Sequence, residues 1–140
     1  MTTARDIMTP DPTCVRTSET VLDAARRMAA EAVGSLPICG EDNQLKGMLT
    51  DRDIVVKVLA AGKDPRAMHV GEVPQDEKLV TVVADDDVRQ VMRTMKQHQI
   101  RRVPVLDGQH NLVGIVAQAD VARSLPDAEV ADLVEAVSED

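Results

Sequence analysis

Residues 47–53, GMLTDRD, contain the side chains of this sequence whose chemistry is easiest to interpret. Thr50 has a hydroxyl and Asp53 has a carboxylate, and both precede an apolar stretch that is typical of a helix. A threonine three residues before an aspartate indicates a helix start. The hydroxyl there caps a backbone N–H, and the carboxylate lies in the favourable field of the helix dipole.

The same residues also fit a ligand site. An ionised Asp53 only accepts hydrogen bonds, so its two oxygens suit the two hydroxyls of a ribose. The N–H groups at a helix start, together with the Thr50 hydroxyl, suit a phosphate. Gly47 has no side chain and allows a ligand to approach the strand backbone closely. The residues therefore leave two interpretations open, a helix start and a ligand site.

Composition excludes some classes of partner. The 140 residues carry a net charge of −8 and include no Phe, Tyr or Trp. An acidic chain repels the phosphate backbone, and no aromatic ring is present on which bases could stack, so we expect no nucleic-acid partner. The chain has no apolar run long enough for a membrane span and no apolar signal-peptide core at its amino terminus. We therefore expect a cytoplasmic protein without a membrane partner.

The sequence repeats itself internally. A shift of 67 positions aligns one half with the other, without a gap, between residues 15 and 120. A shift of 66 aligns the leading segments, residues 4–8 and 70–74. The matched segments are LPI (36–38) with VPV (103–105), and GMLTDRD (47–53) with GIVAQAD (114–120). The chain is therefore two copies of one unit.

Each copy has the same predicted order of elements: strand, helix, strand, strand, helix. Apolar residues at 88, 91, 92 and 95 have the spacing of a buried helix face, and Thr17 or Ser18 and Asp85 are the predicted N-caps. One such unit is too small to bury its sheet alone. We therefore predict an α/β (α+β) fold in which two β-α-β-β-α units pack sheet to sheet around a pseudo-twofold axis. The predicted boundaries are 1–66 and 67–126, followed by a carboxy-terminal amphipathic helix and tail at 127–140.

The tandem units, their LPI and VPV strands and the GMLTDRD turn resemble the cystathionine-β-synthase (CBS) domain pair. The resemblance extends over the whole chain and is greatest to small stand-alone actinobacterial pairs of the hypoxic response protein class. It implies a disc-like homodimer that senses rather than catalyses. It also implies an adenosyl ligand, namely AMP, ADP, ATP or S-adenosylmethionine, in clefts between the units, with no obligatory cofactor.

The resemblance favours the ligand interpretation for Gly47, Thr50 and Asp53. The second copy keeps Gly114 and Asp120 but has Ala117 where Thr50 stands, so it lacks one hydroxyl. We therefore predict unequal sites, of which the one with Asp53 binds better.

Arg101 and Arg102 precede the VPV strand, at a position where the family often has basic residues that reach a ligand phosphate. The alternative is that they guard a solvated strand edge against aggregation.

Two interpretations also remain for Cys14 and Cys39. A strand–helix–strand crossover places their strands side by side, close enough for a disulfide. The alternative is a pair of buried thiols in a reducing cytosol. A disulfide would favour a secreted protein.

The remaining polar residues do not indicate an enzyme. The three histidines and two cysteines lack metal-ligand spacing, and the sequence has no phosphate-binding glycine loop and no pattern of a catalytic triad. We therefore predict no metal site and no catalysis. The two functions that remain are a regulatory module that binds an adenosyl ligand and a ligand-independent dimeric stress or scaffold protein. The downstream protein partner of either is unknown.

Overall fold

The computed structural model describes residues 1–75 and 79–138 and divides the chain into two compact units. The first-repeat unit is Thr13–Leu79, and the second-repeat unit combines Met1–Pro12 with Val80–Asp140. In chain order the elements are α1 (Ala4–Ile7), β1 (Thr9–Pro10), β2 (Val15–Arg16), α2 (Val21–Glu31), β3 (Ser35–Cys39), β4 (Leu45–Thr50), α3 (Asp51–Asp53), a π-helix (Ile54–Leu59), a 3-10 helix (Val70–Glu72), β5 (Val82–Val83), α4 (Val88–His98), β6 (Arg102–Leu106), β7 (Leu112–Ala117), α5 (Gln118–Ala122) and α6 (Asp127–Ser138).

The sheets confirm the predicted duplication and the α/β class. In the first-repeat unit β2 runs parallel to β3, and β3 pairs antiparallel with β4. In the second-repeat unit β5, β6 and β7 repeat this arrangement, and β1 adds an antiparallel strand beside β7. Val15 pairs with Ile38 and Val82 with Val105, so the register is also preserved at the 67-residue shift.

Each unit has its own aliphatic core. The first core combines strand residues with residues from α2 and the π-helix, and these include Val15, Val21, Ala24, Met28, Leu36, Ile38, Leu49, Ile54 and Val58. The second core includes Val82, Val88, Val91, Met92, Met95, Val103, Val105, Val116 and Val121. Without aromatic side chains, branched residues and methionine fill both interiors, and methionine adapts well to irregular spaces.

The compact units differ from the predicted segments at their amino-terminal ends. Residues 1–12 pack in the second-repeat unit, where the N–H of Ala4 donates to Asp86 O at 2.8 Å. Residues 67–75 pack in the first-repeat unit, where the N–H of Val70 donates to Glu19 O at 2.8 Å. Each leading segment thus satisfies backbone groups beside the first long helix of the other repeat.

The structure corrects several predicted helix ends. Thr20 caps α2, its hydroxyl accepting from the Asp23 N–H at 3.1 Å, rather than Thr17 or Ser18. Asp87, not Asp85, caps α4, because its carboxylate accepts from the Arg89 N–H at 2.8 Å. The last helix of the first repeat is α-helical only to Asp53 and then continues as the π-helix, whereas its counterpart α5 ends at Ala122.

The carboxy-terminal helix forms as the sequence predicts. It is α6, and it packs in the second-repeat unit, where Leu133 and Val137 are buried. Val134 remains 40% exposed. The last two residues of the predicted tail, 139 and 140, lie outside the described residues.

Candidate functional site

The Thr50–Asp53 turn is built by two reciprocal hydrogen bonds. The Asp53 N–H donates to the Thr50 hydroxyl at 3.0 Å, and the Thr50 N–H donates to Asp53 Oδ2 at 2.9 Å. This is the capping box expected of a helix start, here directly after β4. The helix-start interpretation is therefore correct, and the box leaves Asp53 Oδ1 outside the backbone cap.

Lys57 forms an ion pair with the other oxygen of the Asp53 carboxylate. Its Nζ lies 3.2 Å from Asp53 Oδ1, and the side chains of the two residues are 20% and 19% exposed. The same ammonium donates to Pro74 O at 2.8 Å. Because the pair is largely covered, solvent screens it less than it screens a typical surface ion pair.

Gly47 lies on β4, where a side chain of the protein itself approaches the backbone. A Cβ added to Gly47 would lie 2.6 Å from Oε1 of Gln75. A cavity of about 190 Å³ lies beside this contact, and its lining includes Ile38, Lys46 and Gln75. The space beside Gly47 that was predicted to admit a ligand thus borders the exposed end of the flexible Gln75 side chain.

The second turn has the same backbone geometry but different side chains. The Ala117 N–H donates to Asp120 Oδ2 at 2.7 Å, and Ala117 offers no hydroxyl in return. Arg123 pairs with the other carboxylate oxygen. A Cβ added to Gly114 would overlap the Sδ of Met8 and lie 2.7 Å from its Cγ. The two copies are therefore unequal at the residues that the sequence singled out.

Arg101 and Arg102 lie in the second-repeat unit, near this second turn. Arg102 pairs with Ala117 across β6 and β7, and Arg101 O accepts from the Gln118 N–H at 2.8 Å. In the first repeat the corresponding positions are Gly34 and Ser35. Thus Gly47, Thr50 and Asp53 belong to one unit, and Arg101, Arg102, Gly114 and Asp120 belong to the other.

Cys14 and Cys39 are joined by a disulfide, with their Cα atoms 5.7 Å apart. Cys14 directly precedes β2, and Cys39 ends β3, which runs parallel to β2. Arg27 donates to Cys14 O at 2.8 Å and so attaches α2 to the same corner. The parallel crossover that the sequence indicated is what brings the two cysteines within reach.

A larger hollow lies beside the Thr50–Asp53 turn. It has a volume of about 600 Å³ and is lined by Lys57, Gly62, Lys63, Asp64, Glu72 and Pro74, among others. This volume lies within the range of small-ligand sites. Thr50 and Asp53 do not line it, so Lys57 is the residue that connects the hollow with the turn.

Metal and membrane features are absent from the described residues, 1–75 and 79–138. Within these ranges no group of three or more His, Cys, Asp or Glu side chains could hold a metal ion. No helix in this part of the chain is long and apolar enough to cross a bilayer.

From the sequence, Lys57 is only a weaker candidate for contacting a ligand phosphate, and nothing selects Gln75 or Met8. Lys57 follows Asp53 at the i, i+4 spacing, which is the available signal for their ion pair. The 66-residue shift of the leading segments aligns Met8 with Pro74, so it did not mark Met8 and Gln75 as equivalent, although the glycines that they cover are 67 positions apart.

Comparison with known proteins identifies the repeat. The model of the CBS domain family matches residues 4–60 and again 70–127. Hypoxic response protein 1 of Mycobacterium tuberculosis is 49% identical over 137 residues, which cover 98% of this chain and 94% of that protein. The CBS domain-containing protein YhcV of Bacillus subtilis is 42% identical over 122 residues, covering 87% of this chain and 84% of YhcV.

Solved structures agree with this assignment. A crystal structure of hypoxic response protein I with two coordinated zinc ions superimposes with a TM-score of 0.81 at 50% identity, covering 89% of this chain and all of that one. The CBS domain pair of protein MJ0100, in complex with 5′-methylthioadenosine and S-adenosyl-L-methionine, has a TM-score of 0.73 at 26% identity and covers 89% and 95%. Two matched repeats, with relatives over nearly the full length, show that this chain belongs to the CBS domain family.

Proposed function

We propose that this protein is a non-catalytic regulatory module that binds an adenosyl ligand, AMP, ADP, ATP or S-adenosylmethionine, at the Thr50–Asp53 turn. The observation that carries the proposal is the fixed orientation of the Asp53 carboxylate, whose Oδ2 accepts from the Thr50 N–H while Lys57 holds Oδ1. A carboxylate has about four acceptor positions, so both oxygens can still accept ribose hydroxyls.

Three further points support an adenosyl ligand. A related CBS pair, that of MJ0100, was solved with two adenosyl compounds. In this chain the Thr50 hydroxyl and the ammonium of Lys57 both lie beside Asp53, as a sugar joined to a phosphate would require. Gly47 allows close approach to β4 once the flexible Gln75 side chain moves aside.

The second turn is proposed to bind weakly or not at all. Ala117 cannot offer a hydroxyl to a phosphate, and Met8 covers Gly114. Arg101 and Arg102 belong to the same unit as this turn, and Arg102 pairs with Ala117, so they would serve an anion bound there.

Calorimetry with AMP, ATP and S-adenosylmethionine tests the proposal. Asp53→Asn should weaken binding by about 10- to 100-fold, the contribution of a hydrogen bond to a charged acceptor. Asp120→Asn is the matched control, because Asp120 makes the same capping bond in the other repeat. Its effect on binding should be small. The proposed site would be refuted if none of the three ligands gave a measurable heat of binding. An equal loss of affinity in the two variants would refute it as well.

We further propose that the module is a homodimer. Val55, Val56 and Leu59 lie on the π-helix with exposed fractions of 55%, 48% and 53%. Adjacent exposed aliphatic side chains on one short helix favour association. Sedimentation velocity should therefore show a dimer that Val56→Asp weakens. A tight dimer that binds none of the adenosyl ligands would favour the second candidate, a ligand-independent stress or scaffold protein.

A further inference from the structure

Besides the ion pair with Asp53, Lys57 makes a contact with a backbone carbonyl that the proposed ligand site does not by itself require. It pairs with Asp53 Oδ1 at 3.2 Å and donates to Pro74 O at 2.8 Å. Pro74 belongs to the connector, residues 68–75, which comes after the first repeat in sequence and packs in its unit. An ammonium group has three donors, so one cation can hold a carboxylate and a backbone carbonyl together.

We propose that Lys57 is a positioning residue that fixes the Asp53 carboxylate and fastens the connector to it. The inference rests on the proposed adenosyl site and adds to it a mechanical link between that site and the chain leading to the second repeat. A ribose whose two hydroxyls donate to both oxygens of Asp53 shares Oδ1 with Lys57, and Lys57 is at the same time holding Pro74.

Backbone bonds also anchor the beginning of the connector, and the buried side chain of Val73 packs in the first core. The N–H of Val70 donates to Glu19 O at 2.8 Å, and the N–H of Gly71 donates to Thr17 O at 3.0 Å. The short 3-10 helix Val70–Glu72 then carries the chain toward Pro74. The Lys57 contact therefore secures the far end of a segment whose near end is held by backbone bonds.

The second repeat has a different residue at the equivalent position. The 67-residue shift places Ser124 where Lys57 stands, and its hydroxyl donates to Asp120 O at 3.0 Å, within its own helical turn. Asp120 is paired instead with Arg123, whose side chain is 71% exposed. Connector coupling through this position is therefore a property of the first repeat.

Hydrogen exchange on the ligand-free protein tests the fastening directly. Lys57→Met keeps the aliphatic stem but removes the ammonium group. The connector amides of Gly71, Glu72 and Val73 should then exchange about tenfold faster, the change expected for one lost charged hydrogen bond. Lys57→Arg should stay near wild type. Arg66→Met is the matched control, since it removes one positive charge from an exposed pair with Asp64.

Binding of AMP and of 2′-deoxy-AMP tests the positioning of the carboxylate. The wild-type protein should prefer AMP, and Lys57→Met should reduce that preference severalfold while Arg66→Met preserves it. Unchanged connector exchange, or an undiminished preference for AMP, in folded Lys57→Met would overturn the inference. If wild type binds none of AMP, ATP and S-adenosylmethionine, the proposed function fails, and the exchange measurement alone then decides whether Lys57 holds the connector.

Discussion

At the scale of single residues, the two glycines of the repeated turn have unequal surroundings. Gly47 faces the end of Gln75, an exposed and flexible side chain. Gly114 faces the Sδ, Cγ and Cβ of Met8, which is half-buried and packs against the second core. A glycine that could leave room for a ligand can thus also be required because a side chain of the protein itself packs against it.

We predict that Gly114→Ala destabilises the protein by about 1–3 kcal/mol, as overpacking does. Gly47→Ala should cost less than about 1 kcal/mol, because the end of Gln75 can rotate away. Urea unfolding of both variants checks the difference. Adding Met8→Ala to Gly114→Ala should recover part of the loss, and equal costs for the two glycine variants would contradict this account.

At the scale of elements, the equivalent helices and strands end in equivalent ways. Ala32 and Gln99, one repeat apart, both end a long helix in the left-handed conformation, at φ 54° and 53°. Asn43 and His110 adopt φ 65° in the two hairpin turns. Backbone N–H and side-chain donors of Asn111, with the N–H of Gln109, hold the pKa of Asp107 below its usual value in the second of these turns. The hairpin turns are therefore specified by local hydrogen bonds.

At the same scale, the first repeat has a disulfide and the second repeat does not. The disulfide closes a loop between β2 and β3 with a sequence separation of 25 residues. We predict that reduction lowers the free energy of unfolding by about 3 kcal/mol, through the greater freedom of the unfolded chain. Intact mass should rise by two hydrogens on reduction. The Cys14→Ala, Cys39→Ala double variant should not respond to reductant, and an unchanged wild-type mass would rule out the bond.

At the scale of the whole molecule, the duplication is unequal because the helix α6, which follows both repeats in sequence, packs in the second-repeat unit. The helix α6 adds Leu133 and Val137 to the second core, and β1 adds a strand to the second sheet. Among its described residues, 13–75 and 79, the first-repeat unit has a three-stranded sheet and exposed apolar residues on its π-helix. The second core therefore gains aliphatic side chains from a helix outside the repeated pattern.

We predict that Leu133→Ala destabilises the second-repeat unit by about 2–5 kcal/mol, the cost of truncating a fully buried leucine. Val134→Ala is the matched control on the same helix, and because Val134 is 40% exposed it should change stability by less than about 0.5 kcal/mol. Thermal unfolding monitored by circular dichroism compares the two. Similar shifts would show that α6 does not contribute to the core.

Residue types and their spacing were sufficient to predict the duplication, the order of strands and helices and the helix start at Thr50. Apolar residues with a period of two indicate a strand, and those with a period of 3.6 indicate a helix. A threonine three residues before an aspartate indicates where a helix starts. The same pattern also placed Cys14 and Cys39 on neighbouring strands. It missed the N-caps Thr20 and Asp87, because several polar residues precede each helix and any of them could serve.

The contacts between residues far apart in sequence, in contrast, could be determined only from the tertiary structure. The N–H of Ala4 donates to Asp86 O and that of Val70 to Glu19 O, so each leading segment packs with the other repeat. Nothing local distinguishes these carbonyl partners, since both copies offer the same backbone. The contact of Lys57 with Pro74 is likewise long-range. Local pattern specifies an element, whereas the pairing of elements depends on which arrangement satisfies the most backbone groups and buries the most apolar surface.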